Sequence, residues 1–406
     1  MRNYCILIGL VAFFLGGASF ARAELDYKGS IAVGQEYNDN VNETSHPKAD
    51  FVTQVIPAIQ AEYSASRFLA SVDYHGDLRL YDGGQRQNEM RNDLEGKLHF
   101  QVIKELLALE ATDSNHMVFT NATLGQTRPA DSTVDQTNQN ISTFSAILTP
   151  HFAERTQTEL GILSRQELYS GGSGTVDKNI EAAYLNVLHE MTAKLELGVN
   201  ARVERQFTSQ LNFDRYMAAL VARYTYKQDC YVYGLFGGVE TVPDNASDSL
   251  MPLWSAGLTH TFGRTAVILE TKGSYEDNPS SAYNSFRALY TATVTHDFDR
   301  AKLSLNAGYA NYSGTDTQQS GDVTLAGNLE YELTSRLTAL VGVSWVNTVA
   351  SGNNATRTYC TGELRYALPK DFEIRAYYRN KLNDSYSSGN SSYQVNIVGI
   401  RLAKTF

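Results

Sequence analysis

Ala193-Lys194-Leu195-Glu196-Leu197-Gly198-Val199-Asn200-Ala201-Arg202-Val203 carries an apolar residue at every odd position and a polar residue or glycine at every even one. A β-strand sends successive side chains to opposite faces, so this stretch has one apolar and one charged side. The alternation returns about twenty times along the chain. Phe68, Ala70, Val72, Tyr74, Gly76, Leu78 and Leu80 alternate with Ser71, Asp73, His75, Asp77 and Arg79. Leu94, Gly96, Leu98, Phe100 and Val102 alternate with Asp93, Glu95, Lys97, His99 and Gln101, and Leu337, Ala339, Val341, Val343 and Trp345 form another apolar row. A face bearing this many ions of both signs is not a dry core, because unpaired buried charge is costly. It must be wet, cross-paired or both. A soluble sandwich accounts for any one strand but not for the series, since no linker, composition shift or low-complexity tract divides the chain.

Residues 1–23 stand apart from this pattern. Arg2 supplies a positive start, Cys5 to Phe20 an apolar stretch, and Ala21-Arg22-Ala23 a small-x-small cleavage site, which together read as a secretory signal. Residues 24–406 are then one domain. After residue 23 no apolar run reaches the ~18 residues of a membrane helix. If the mature chain spans a membrane, it does so as a closed barrel. The separators between strands alternate in length: short ones such as His189 to Met191, Phe298 to Arg300 and Leu368 to Asp371, and longer polar ones such as Thr241 to Leu250 and Ser313 to Gly321. Short periplasmic turns and long external loops are the asymmetry of outer-membrane barrels. The expected fold is therefore all-β: a transmembrane antiparallel up-and-down β-barrel of about 20 strands, with 18 to 22 acceptable.

The formal net charge of −10 becomes more negative once Arg2 and Arg22 leave with the signal, which argues against nucleic acid as a partner. Only Cys230 and Cys360 remain after Cys5 is removed. The strand map puts Cys230 at a short turn and Cys360 near a long-loop end, too far apart for a disulfide. His189, His260 and His296 each follow an outward Val or Leu by two residues, close to a short turn. They read as amphipathic belt residues. No nucleotide-binding or zinc motif occurs, and neither a cofactor nor a metal is expected.

The segment Gly34-Gln35-Glu36-Tyr37-Asn38-Asp39-Asn40-Val41, followed by Asp50-Phe51-Val52-Thr53-Gln54-Val55-Ile56-Pro57, resembles the opening of the β-barrel porin 2 family. That resemblance implies a Gram-negative outer-membrane barrel and a link to exopolysaccharide systems. The last strand resembles the C-terminal signal read by the barrel-assembly machinery, with Val398, Ile400, Leu402 and Phe406 on one face. Lys404 departs from it at a position where an apolar residue is usual. Val395 and Ile397 are out of phase with Val398 and Ile400, which predicts a bulge or a local irregularity of register.

Three functions fit such a chain: a pore for hydrophilic solutes, including exopolysaccharide export; a structural or secretion-associated barrel without an open pore; and a lipid-modifying enzyme. The pore is the leading reading. Lys194, Glu196, Arg202, Glu204, Arg215, Arg223, Arg287, Glu363, Arg365, Glu373, Arg375 and Arg379 should line its lumen. Thr120 to Asn138 is the longest separator, and loops of this length are usually functional or disordered. It is the candidate constriction loop, with Arg128, Asp131 and Asp135 as its charged members. The external segments 38–48, 81–89, 119–138, 243–250, 276–284, 313–321 and 382–391 are each net negative, so divalent cations should bridge them to lipopolysaccharide. Inward Tyr312 and Tyr377 are too few for a sugar-stacking track.

Overall fold

A computed structural model describes residues 24–120, 136–171, 174–276, 278–282, 285–313, 320–350, 353–385 and 392–406. The signal read at 1–23 and the constriction candidates Arg128, Asp131 and Asp135 lie outside the described residues. The described chain forms twenty strands. They are β1 (Glu24–Asn38), β2 (Asp50–Ala65), β3 (Phe68–Tyr81), β4 (Glu89–Ile103), β5 (Leu107–Phe119), β6 (Gln136–Leu148) and β7 (Thr156–Ser170). Next come β8 (Lys178–Thr192), β9 (Leu195–Thr208), β10 (Phe213–Lys227), β11 (Cys230–Pro243), β12 (Ser249–Phe262), β13 (Thr265–Glu276) and β14 (Ser285–Asp297). The series ends with β15 (Ala301–Ser313), β16 (Ser320–Thr334), β17 (Leu337–Ala350), β18 (Asn353–Leu368), β19 (Phe372–Ser385) and β20 (Tyr393–Thr405).

Each strand pairs antiparallel with the next, and β20 pairs with β1 from Ser30↔Thr405 to Asn38↔Ile397. The sheet is a closed up-and-down barrel. At the seam the Phe406 amide donates to the Gly29 carbonyl (2.8 Å), so closure extends to the last residue. Closure leaves no unpaired strand edge, which is the condition for crossing hydrocarbon. A hydrogen-bonded row followed through all twenty registers returns to β1 about 26 residues further along, which corresponds to a strand tilt of about 40°.

The alternation sorts the side chains as the sequence demands. Leu220, Phe236, Ile162 and Val398 are large apolar residues that stand exposed on the outside, while Glu204, Gln206, Arg215 and Tyr377 are buried on the inside. An apolar surface running over every sector far exceeds what a soluble monomer leaves uncovered, and a bilayer is what covers it. His189, His260 and His296 face outward near the short-turn end. Their Nδ1 atoms are hydrogen-bonded to Thr156 Oγ1 (2.9 Å), the Tyr226 hydroxyl (2.8 Å) and Thr265 Oγ1 (2.7 Å) respectively. His189 and His296 are thus tied to the neighbouring strand, and His260 on β12 to β10, across β11.

Several boundaries differ from the sequence reading. His189 to Met191 belong to β8, which runs to Thr192, so Lys194 sits in the following turn and not on the lumen wall. Residues 136–138 are already β6. There is no bulge in β20: its registers with β19 and β1 are continuous, and Val395 and Ile397 pack inside against Tyr377. They are apolar residues on the lumen side, where a buried tyrosine offers them an apolar partner. Cys360 lies at mid-strand in β18, not near its loop end, and both it and Cys230 are free thiols.

A closed barrel resists detergent until it is heated. Unboiled protein should migrate faster than boiled protein in SDS gels, and its far-ultraviolet circular dichroism should show strand without helix; equal migration with helical dichroism would contradict this fold.

Candidate functional site

The lumen wall is a set of ion pairs built on one spacing. Residues two apart on a strand share a face, and Arg365 with Glu363, Arg375 with Glu373, Arg202 with Glu204 (2.8 Å) and Arg79 with Asp77 (2.9 Å) are all such neighbours. Glu204 also accepts from Arg215 across the β9–β10 pair (2.5 Å), and the Glu204 and Arg215 side chains are only 4% and 5% exposed. Glu196 stands directly opposite Arg223 in the register. Arg223 lies over the Tyr231 ring at 4.5 Å, Arg287 over Tyr312 at 5.5 Å and Arg379 over Tyr377 at 4.6 Å. Apart from Lys194, every lumen candidate named from the sequence therefore sits on the inner wall.

The sequence reading missed the network at the junction of β1, β2, β3, β19 and β20. The Tyr377 hydroxyl donates to Glu36 Oε2 (2.9 Å), Arg401 Nη2 donates to Gln54 Oε1 (2.7 Å), and Arg79 lies 3.8 Å from Glu36. Tyr377 lies flat on the β20 backbone at Gly399, where an added Cβ would meet the ring at 2.4 Å. Glycine is required for that approach. Strand parity pointed Glu36 and Gln54 inward, since Val33 and Tyr37 mark the outer face of β1 and Phe51 that of β2. Their partners Tyr377 and Arg401, more than three hundred residues away, had no sequence signal.

Two long-loop segments lean on the inner wall. In the β1–β2 loop, Val41 packs against Val52 and Tyr81, and Glu43 accepts from Lys381 Nζ (2.9 Å) and the Tyr393 hydroxyl (3.1 Å). Arg86 donates to the Val41 carbonyl (3.0 Å). In the β13–β14 connection, the Ala282 carbonyl accepts from the inward Gln206 of β9 (2.9 Å), and the Pro279 carbonyl accepts from the Val176 amide (2.8 Å). The pairing of β13 with β12 stops at Gly273, while its pairing with β14 runs on to Glu276. The tip of this hairpin thus leaves the wall, and Tyr275 comes to rest against Arg215 at 4.5 Å.

No family model and no curated protein matches the chain. Solved structures do match it. The FrpB iron transporter from Neisseria meningitidis (F3-3 variant) aligns at TM-score 0.53 and 10% identity over 94% of this chain and 82% of its own. A ferric enterobactin receptor (PfeA) mutant from Pseudomonas aeruginosa gives 0.53 and 10% over 94% and 80%. The siderophore receptor PiuA from Acinetobacter baumannii gives 0.52 and 10% over 96% and 82%. At these identities the likeness is one of fold: the closed barrel of outer-membrane transporters and receptors.

Removing one member of a buried ion pair leaves the other uncompensated, at a cost of about 3–5 kcal/mol. Glu204→Ala, which strands the buried Arg215, should lower the unfolding free energy read from denaturant titration of the folded barrel by that amount. Glu363→Ala releases an Arg365 side chain that is 34% exposed and should cost no more than about 1 kcal/mol. Equal losses for the two would contradict the difference in burial.

Proposed function

We propose that this chain is an outer-membrane pore for hydrophilic solutes. The observation that carries the reading is the contrast between the two faces of one wall. The outside is apolar in every sector, and the inside holds paired ions that only water or one another can satisfy. Barrels of 16–18 strands already leave an aqueous channel, and twenty strands enclose more. Among the described residues the loop and hairpin above lean into that space. Assembly through Val398, Ile400, Leu402 and Phe406 and anchoring to lipopolysaccharide through divalent cations belong to the same reading.

Exopolysaccharide passage, which the porin-family resemblance implies, finds some support in the inward tyrosines. Tyr81, Tyr184, Tyr231, Tyr233, Tyr359 and Tyr393 join the expected Tyr312 and Tyr377. Most of these rings, however, already carry a cation. Arg86 lies over Tyr81, Arg223 over Tyr231, Arg287 over Tyr312, and Lys381 beside both Tyr359 and Tyr393. A ring face occupied by a guanidinium is not free to stack on a sugar. Among the described residues Tyr184 and Tyr233 carry no such cover, but six of the inward rings do, so small charged or polar solutes fit the lumen better than a polysaccharide chain. The remaining readings, a barrel without an open pore and a lipid-modifying enzyme, draw no support from a specific contact.

Reconstitution into planar bilayers should give stepwise conductance. Lys381→Ala removes the cation that holds Glu43 and should free the β1–β2 loop, raising mean conductance or open-channel noise. A folded, heat-modifiable protein that conducts nothing would overturn the pore reading, and an unchanged Lys381→Ala trace would show that the loop does not narrow the path.

A further inference from the structure

The inner wall at β19, β20 and β2 holds two guanidiniums that the pairing pattern leaves over. Arg365, Arg375 and Arg401 stand abreast in one hydrogen-bonded row, Arg365↔Arg375↔Arg401. Like charges abreast repel. Arg365 and Arg375 are each answered by the glutamate two positions earlier, but the residue two before Arg401 is Gly399, and two before Arg379 is Tyr377. Both leftover guanidiniums lie on the Tyr377 ring, Arg379 at 4.6 Å and Arg401 at 5.5 Å. Among the described residues neither has a carboxylate within ion-pair distance.

Beside them lies a fully buried donor with nothing to bond. Gln54 has no exposed surface, its Oε1 accepts from Arg401 Nη2 (2.7 Å), and its Nε2 has no partner. The amide cannot be turned around to cure this, because a guanidinium only donates and would then face another donor. Arg401 Nε is likewise buried and unpaired. A buried donor without a partner calls for an acceptor. Local charge points the same way: Arg79, Arg379 and Arg401 outnumber Glu36 and Asp77 by one positive charge.

We infer that Arg379, Arg401 and Gln54 Nε2 form an oxyanion subsite in the lumen wall, which takes the carboxylate or phosphate group of a passing solute. The inference rests on the pore reading for its solute, though not for its chemistry. A guanidinium matches the planar pair of oxygens in a carboxylate or phosphate, and the neutral amide adds a donor where a second buried cation would be repelled. Tyr377 holds both guanidiniums from beneath and is itself fixed by Glu36 and by the flat seat at Gly399. Glu36 therefore positions the site without touching the anion.

The test compares wild type with Arg379→Gln/Arg401→Gln, and with Lys97→Gln as a lumen variant that loses a positive charge elsewhere on the wall. Single-channel conductance in chloride is titrated with succinate and with inorganic phosphate. Wild type and Lys97→Gln should show saturable block, and the double variant should need at least about tenfold more anion, as expected for losing charge-assisted hydrogen bonds. Block by succinate alone assigns the site to carboxylates, and block by phosphate alone to phosphate esters. Equal block in wild type and double variant, or no block by either anion in a conducting wild type, would overturn the subsite. If no protein conducts, the pore reading falls and the midpoint of heat modification decides. A rise with either anion in wild type but not in the double variant sustains the site, and no rise in wild type ends it. Boiled and unboiled gel lanes confirm that each variant is folded.

Discussion

Everything in this molecule follows from the need to pair every backbone amide where no water can do so. In hydrocarbon an unpaired N–H or C=O costs several kcal/mol, and a sheet meets that demand only by closing on itself. The β1–β20 seam, from Ser30↔Thr405 to Asn38↔Ile397 and on to the Phe406–Gly29 bond, is where the demand is met. Once the sheet is closed, the two-residue period leaves no freedom. One side of every strand faces lipid and must be apolar, so all charge is driven to the other side. The lumen is polar because the outside cannot be.

Inside, the charges are organised by two rules of different reach. The short rule pairs residues two apart on one strand, as in Arg365 with Glu363 and Arg375 with Glu373. These pairs are partly exposed, and solvent weakens them. The long rule works across strands and between chain ends. It joins Glu204 to Arg215 and Tyr377 to Glu36, 341 residues apart. These contacts are buried, so their loss leaves an uncompensated group behind. Where both rules fail, at Arg379 and Arg401, tyrosine stacking and a single amide take over, and surplus positive charge remains.

That division also explains what could be read in advance. Alternation and turn spacing made the barrel, its twenty strands and the inward set from Glu196 to Arg379 legible, because each depends only on neighbours in sequence. Lys194 was misplaced because a turn slipped by a few residues, and near a turn one residue decides between wall and rim. Val395 and Ile397 looked like a bulge because the pattern rule assumes a polar lumen. Tyr377 supplies an apolar surface there that no local window contains. The Glu36, Gln54 and Arg401 cluster was invisible for the same reason: β2 and β19 are not sequence neighbours, and β1 and β20 meet only through closure.

The size of the barrel finally makes its loops matter. Twenty strands about 4.8 Å apart and tilted by about 40° give a backbone radius of roughly 20 Å. At physiological ionic strength a charge is screened within about 8 Å, so wall ions would be felt only faintly at the axis of an open tube this wide. Selectivity therefore needs something to bring solute close to the wall. The β1–β2 loop and the β13–β14 hairpin enter from nearly opposite sectors and rest against the inner wall, at Lys381 and Tyr393 on one side and at Gln206 and Arg215 on the other. Both narrow the long-loop end. The leftover arginines at Tyr377 lie in the sector that the β1–β2 loop covers, where a solute squeezed toward the wall comes within range of their charge.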